Sequence, residues 1–142
     1  MFQKIIQTDN TKSTIIIRLM VGAVFLSEGT QKFLFPDSLG AGRFEKIGLS
    51  MPIFLANFVG CFEIICAILV LIGFITRLAA IPLIIIMLVA IATTKVEVFN
   101  EKGFWELFHA SRTDWAMLLG SIFILIVGGG HISIDKKWLN QK

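Results

Sequence analysis

The stretch Ile53–Phe74, IFLANFVGCFEIICAILVLIGF, decides how the rest of the chain is read. It is long enough to cross a membrane, because a hydrocarbon core about 30 Å thick takes roughly 20 mostly apolar residues of helix. One charge, Glu63, sits near its middle. A carboxylate at the centre of such a segment costs about 2.5–3.5 kcal/mol on insertion scales, so it calls for a partner or a purpose.

Working outward, three more segments share this character: Thr14–Phe35, Leu78–Phe99 and Asp114–Gly130. Lipid offers no water to unpaired backbone groups, so all four are expected to be α-helices. Composition agrees. Of 142 residues, 56% are hydrophobic and 16% charged, whereas soluble domains carry about a quarter charged residues. Short connections make consecutive helices antiparallel neighbours. The expectation is therefore an all-α, integral membrane four-helix bundle, a single domain over residues 1–142. The first 13 residues are mostly polar, the next stretch holds Arg18 and Glu28, and no A-x-A site follows. A cleaved signal peptide is not expected.

An even number of spans puts both termini on one face. That face carries Lys4, Lys12, Arg77, Lys136, Lys137 and Lys142, and the other carries Arg43, Lys46, Lys102 and Arg112. Six against four favours cytoplasmic termini by the positive-inside rule. With a net charge of only +3, placed mostly at segment ends, the basic residues read as topology and headgroup contacts. The lipid bilayer, not nucleic acid, is the expected partner.

Between the first two spans, Leu39, Phe44, Ile47 and Leu49 are interspersed with Arg43, Glu45 and Lys46, the pattern of a short interfacial helix. Gly103–Trp115 holds Phe104, Trp105, Phe108, His109 and Trp115. As a loop it reads as an aromatic belt at the membrane surface, or as a lid over a site opening to the outer face. Gly22, Gly29, Gly60, Gly73 and Gly120 lie in or at the ends of spans, where small residues let helices approach closely. Pro82, one turn into the third span, is expected to bend it.

The charges inside the spans are the candidate site. Arg18, Glu28 and Lys32 mark one face of the first span, with Arg18 within about 80° of Glu28 and about 40° of Lys32. Charge facing lipid is the costlier choice, so this face is expected to point into the bundle. By depth, Arg18 and Glu63 form the leading pair, and Glu28, Lys32, Lys95 and Asp114 a second, outer network. Buried pairs of this kind can fix helix register without doing chemistry. They can also line a polar cavity that binds a small molecule or relays protons. Cys61 and Cys66 lie about 140° apart on a helix and read as two small core residues. His109 and His131 fall near opposite membrane faces, and no Cys/His cluster, phosphate-binding glycine loop or nucleophile elbow is present. No metal site is expected.

Arg18, Gly22, Phe25, Gly29 and Lys32 in the first span resemble the DoxX family of small bacterial membrane proteins. So do Gly60 with Glu63, the run Leu71-Ile72-Gly73-Phe74-Ile75-Thr76-Arg77-Leu78-Ala79-Ala80, and the closing Gly128-Gly129-Gly130-His131-Ile132-Ser133-Ile134-Asp135. The resemblance covers roughly Arg18 to Asp135. It implies a multi-pass protein of the bacterial inner membrane, with relatives tied to thiosulfate:quinone oxidoreductase and to oxidative-stress complexes. Three functions follow. The first is a membrane subunit associated with a quinone-linked oxidoreductase, with no intrinsic cofactor and a bound quinone polarised or protonated by Arg18, Lys32 and Glu63. The second is a non-enzymatic scaffold, assembly or partner-binding protein that meets a soluble or membrane oxidoreductase subunit. The third is a small transporter, which would need a homo-oligomer to enclose a path.

Overall fold

The computed structural model describes residues 6–140, and these are helical throughout their long segments, with no strand among them. Lys4 and Lys142, two of the six cations assigned to the terminal face, lie outside the described residues. The elements are α1 (Thr14–Leu34), α2 (Ala41–Lys46), α3 (Pro52–Ile72), α4 (Thr76–Ala110), α5 (Arg112–Val127) and α6 (Ile134–Asn140).

Each boundary has a local cause. Phe35 leaves the helical region at φ −127° and ψ 62°, because Pro36 behind it disfavours the α conformation. The short α2 forms where a helix was expected between the first two spans. α3 opens on Pro52, whose missing N–H has no partner to lose in a first turn. It closes at Gly73, φ +74°. There Phe74 N–H donates to Leu69 O at 3.0 Å and Gly73 N–H to Val70 O at 3.2 Å, the paired bonds of a Schellman ending.

The third segment departs from expectation. Instead of ending near Phe99 and yielding to an aromatic loop, α4 continues to Ala110, and only Ser111 separates it from α5. Gly103–Trp115 is thus helix on either side of a break, which corrects the loop reading. The break is Gly103 at φ 81° and ψ −176°, a conformation that essentially only glycine adopts. It turns the chain back on itself. An unbroken helix would hold Lys95 and Ala110 about 22 Å apart, yet Lys95 Nζ donates to Ala110 O at 2.9 Å.

The core draws on all four long helices, from Val21 and Phe25 through Ala67, Val70, Ala80 and Leu83 to Leu118 and Ile124. It is small for so apolar a chain. α3 and α4 reach mean hydropathies of 2.5 and 2.3, yet only 33% and 22% of their most apolar windows is buried. The central helix of a soluble domain would bury most of such a surface. Here Ile65, Ile85 and Ile126 stand outward. Both helices are long and apolar enough to cross a membrane, and an apolar exterior of this extent needs lipid or protein against it.

Candidate functional site

α1 carries a buried and a half-buried charge about four turns apart, and each meets α3. Toward its C-terminal end, Lys32 Nζ lies 2.6 Å from Glu63 Oε2, with the side chains 11% and 4% exposed. Glycine makes this approach possible. A Cβ on Gly29 would come within 2.9 Å of Gly60 O and of Glu63 Cβ, and one on Gly60 within 2.8 Å of the Phe33 ring. Arg43 of α2 and Glu28 of α1 lie within electrostatic reach of the Glu63 carboxylate.

Near the N-terminal end of α1, the fully buried Arg18 donates to main-chain carbonyls. Nε bonds Val70 O at 2.8 Å, Nη2 bonds Leu71 O at 2.6 Å, and Nη1 bonds Gly129 O at 2.8 Å and also Ile132 O. The carbonyls of a last helical turn have no partners within their helix and form its negative end. A guanidinium fork satisfies several at once, which a lysine cannot do. Gly73 leaves the room, since a Cβ there would sit 2.6 Å from Arg18 Nη2.

Asp135 closes the same junction from the other side. Its Oδ1 accepts from Ile75 N–H at 2.7 Å, and its Oδ2 accepts from Thr76 N–H at 3.0 Å and from the Thr76 hydroxyl at 2.5 Å. A carboxylate thereby caps the positive end of α4. Its bonds also hold Ile75 at φ 42°, a left-handed conformation costly for a β-branched residue. In sequence, Asp135 and Thr76 stood only among the residues resembling a family. A cap supplied from 60 residues away leaves no local signal.

The six candidate charges therefore do not form the expected groups. Arg18 does not pair with Glu63: its bonds go to carbonyls about 10 Å further along α3, and Lys32 takes the carboxylate. Of the expected outer network only Lys95 and Asp114 pair, since Lys32 goes to Glu63. Lys95 meets Asp114 at 3.0 Å between α4 and α5. Glu28 does not turn inward. It is exposed, and only its main-chain carbonyl meets Lys32 Nζ, at 3.5 Å. Cys66 packs in the core and Cys61 is exposed; both are free thiols. His109 contacts Arg112 through its ring nitrogens. Among the described residues, no three of His, Cys, Asp and Glu come together as a metal site.

Outside the long helices, Asp9 accepts from Asn10 N–H at 2.6 Å and from the Thr11 hydroxyl at 2.7 Å. The Thr11 hydroxyl, then the Asn10 amide, hold its carboxyl below the ordinary carboxylate range.

The DoxX family model matches residues 13–96. The "Uncharacterized membrane protein Rv3486" of Mycobacterium tuberculosis is 48% identical over 140 residues, covering 94% of this chain and 86% of the relative. The "Putative oxidoreductase CatD" of Bacillus subtilis is 24% identical over 123 residues, covering 86% of this chain and 84% of the relative. No solved structure matches the chain significantly.

Proposed function

Because the chain belongs to the DoxX family of membrane proteins, we propose that it works as a membrane-embedded scaffold subunit of an oxidoreductase system. In this reading α1, α3, the first part of α4, and α5 cross the bacterial inner membrane as an antiparallel four-helix bundle with cytoplasmic termini. The order of contacts supports antiparallel α1 and α3: Arg18 meets Val70 and Leu71, Gly22 abuts Leu71 and Ala67, and Gly29 abuts Gly60. α2 and the aromatic end of α4 lie at the outer interface, where Trp105, 82% exposed, offers a docking edge to lipid or partner.

One observation carries the scaffold reading. The buried charges spend their bonds inside the chain, Arg18 on carbonyls, Glu63 on Lys32 and Asp135 on the start of α4. Charges so used fix helix register, and the electron chemistry belongs to a partner. The name of the Bacillus subtilis relative supports an oxidoreductase setting. Affinity purification of the tagged full chain from native membranes in mild detergent tests this. An oxidoreductase is expected to co-purify in fixed ratio, and a chain that purifies alone would refute the reading.

A second reading keeps the quinone. Lys32 Nζ has three protons, a 2.6 Å bond to Glu63 and only a 3.5 Å bond to Glu28 O, so a donor remains for a ligand carbonyl oxygen. Glu63 beside it would exchange a proton, and a quinone would supply the two-electron chemistry. Quinone added to the purified protein should then raise its melting temperature, and Glu63→Gln should remove that shift. A melting temperature indifferent to quinone in the unaltered protein eliminates this reading.

A further inference from the structure

Along one side of α1, Met20, Val24, Ser27, Gln31 and Leu34 succeed one another at steps of four, three, four and three residues, with Val24 also packing against the edge of the core. That average of 3.5 is the period of a seam between two helices wound about each other. Among the described residues the chain leaves the later part of this seam, Ser27 to Leu34, open. Leu34 is 65% exposed, Ser27 is exposed, and Gln31 is half-buried. A groove of about 400 Å³ runs along it, lined by Ala23, Ser27, Thr30, Gln31, Leu34 and Leu71 among others. Exposed apolar residues bracket the polar ones on the same helix, Ile16 and Leu19 before them and Phe33 and Leu34 after. Resting on the reading that α1 spans the bilayer, Ser27 to Gln31 then lie at hydrocarbon depth, where lipid offers them no hydrogen bonds.

We infer that two copies of this chain pair through this seam, α1 against α1 about a twofold axis. The hydrogen-bonding capacity of the patch selects a second copy as the occupant. Gln31 Nε2 donates to Ser27 Oγ at 2.8 Å, and the Thr30 hydroxyl donates to Leu26 O at 2.6 Å. What remains is a mixed set: the Ser27 hydroxyl proton, the second amide proton and the Oε1 of Gln31, and the carboxylate of Glu28. A twofold interface brings one patch against its own image, so it must hold donors and acceptors together. This one does. Knobs-into-holes packing sets a seam residue at the Ser27 position against residue 28 of the facing helix. The Ser27 hydroxyl of each copy then donates to the Glu28 carboxylate of the other. Polar side chains at such positions specify pairing between membrane helices.

Cross-linking in lipid nanodiscs of phosphatidylcholine and phosphatidylglycerol tests the pair. In a Cys61→Ser background, which removes the exposed thiol, Ser27→Cys is expected to form a disulfide-linked dimer on oxidation. Ile65→Cys, on the outward face of α3, is expected not to. Without substitution the particle should hold twice the 15.8 kDa of one chain, and Ser27→Leu with Gln31→Leu should reduce it to one. A Ser27→Cys protein that stays monomeric under oxidation, in particles holding a single chain, overturns the pairing; so does equal cross-linking through Ile65→Cys. If a membrane-impermeant maleimide labels that Ser27→Cys monomer freely, α1 is not in the bilayer. The spanning reading then fails first.

Discussion

Lys32 and Glu63 show how one contact divides structural from chemical roles. Removing one partner leaves the other charge buried alone, at a cost of about 3–5 kcal/mol, whereas replacing both with apolar residues of similar volume is close to neutral. Glu63→Gln should therefore lower the unfolding free energy by about 3 kcal/mol. Lys32→Met combined with Glu63→Leu should recover most of that loss, as read by thermal unfolding in detergent across the double-mutant cycle. Arg18→Lys should also destabilise, by about 2 kcal/mol or more, since one ammonium cannot reproduce a fork shared among four carbonyls. Asp9 gives a pH signature. A carboxylate whose value is lowered on folding stabilises fully above the ordinary value, about 3.9, and loses that contribution as pH falls through the lowered one. Protection of the Asn10 amide, the slowing of its exchange relative to an unstructured amide at the same pH, should fall as pH drops through that acidic window and stay constant above it. Residue type and spacing singled out the buried Arg18 and Glu63, but also the exposed Glu28, and not the buried Asp135. The pairing of the charges was not legible, because it depends on the register of α1 on α3. Gly29 against Gly60 sets that register: eleven residues before Gly29 is Arg18, and eleven after Gly60 is Leu71, whose carbonyl Arg18 holds.

Helix ends decide how the elements join. Asp135→Ala strips three bonds from the start of α4 and exposes the strained Ile75, so a loss of about 2 kcal/mol is expected. Asp135→Asn, which keeps an acceptor but not the charge, should lose less, and the difference between the two measures the charge on the helix end. Gly103→Ala should cost about 1–3 kcal/mol because its backbone conformation is essentially closed to other residues. It should also weaken the Lys95–Asp114 contact, which depends on the fold-back. Helix positions were legible because hydrophobic length is a local property, and three of the four apolar segments ended within about three residues of the observed helices. α4 was misjudged for a physical reason. Glu97, Asn100, Glu101 and Lys102 interrupt the apolar run without interrupting the helix, which breaks only at Gly103. Loss of hydropathy marked where a membrane could end, not where the backbone leaves its α conformation.

At the scale of the whole molecule, the chain is apolar outside and charged at a few points within. Lipid accounts for the exterior, and main-chain carbonyls, a helix amide end and single counter-charges account for the interior. That economy supports a scaffold around which a redox partner assembles. The most direct test is affinity purification of the tagged chain from native membranes, comparing the unaltered protein with the Lys32→Met, Glu63→Leu double variant. The scaffold account predicts that an oxidoreductase activity purifies with both, in the same ratio to the chain. Loss of that activity from the double variant, with the chain inserted at its normal level, would contradict it and place the chemistry on Lys32 and Glu63.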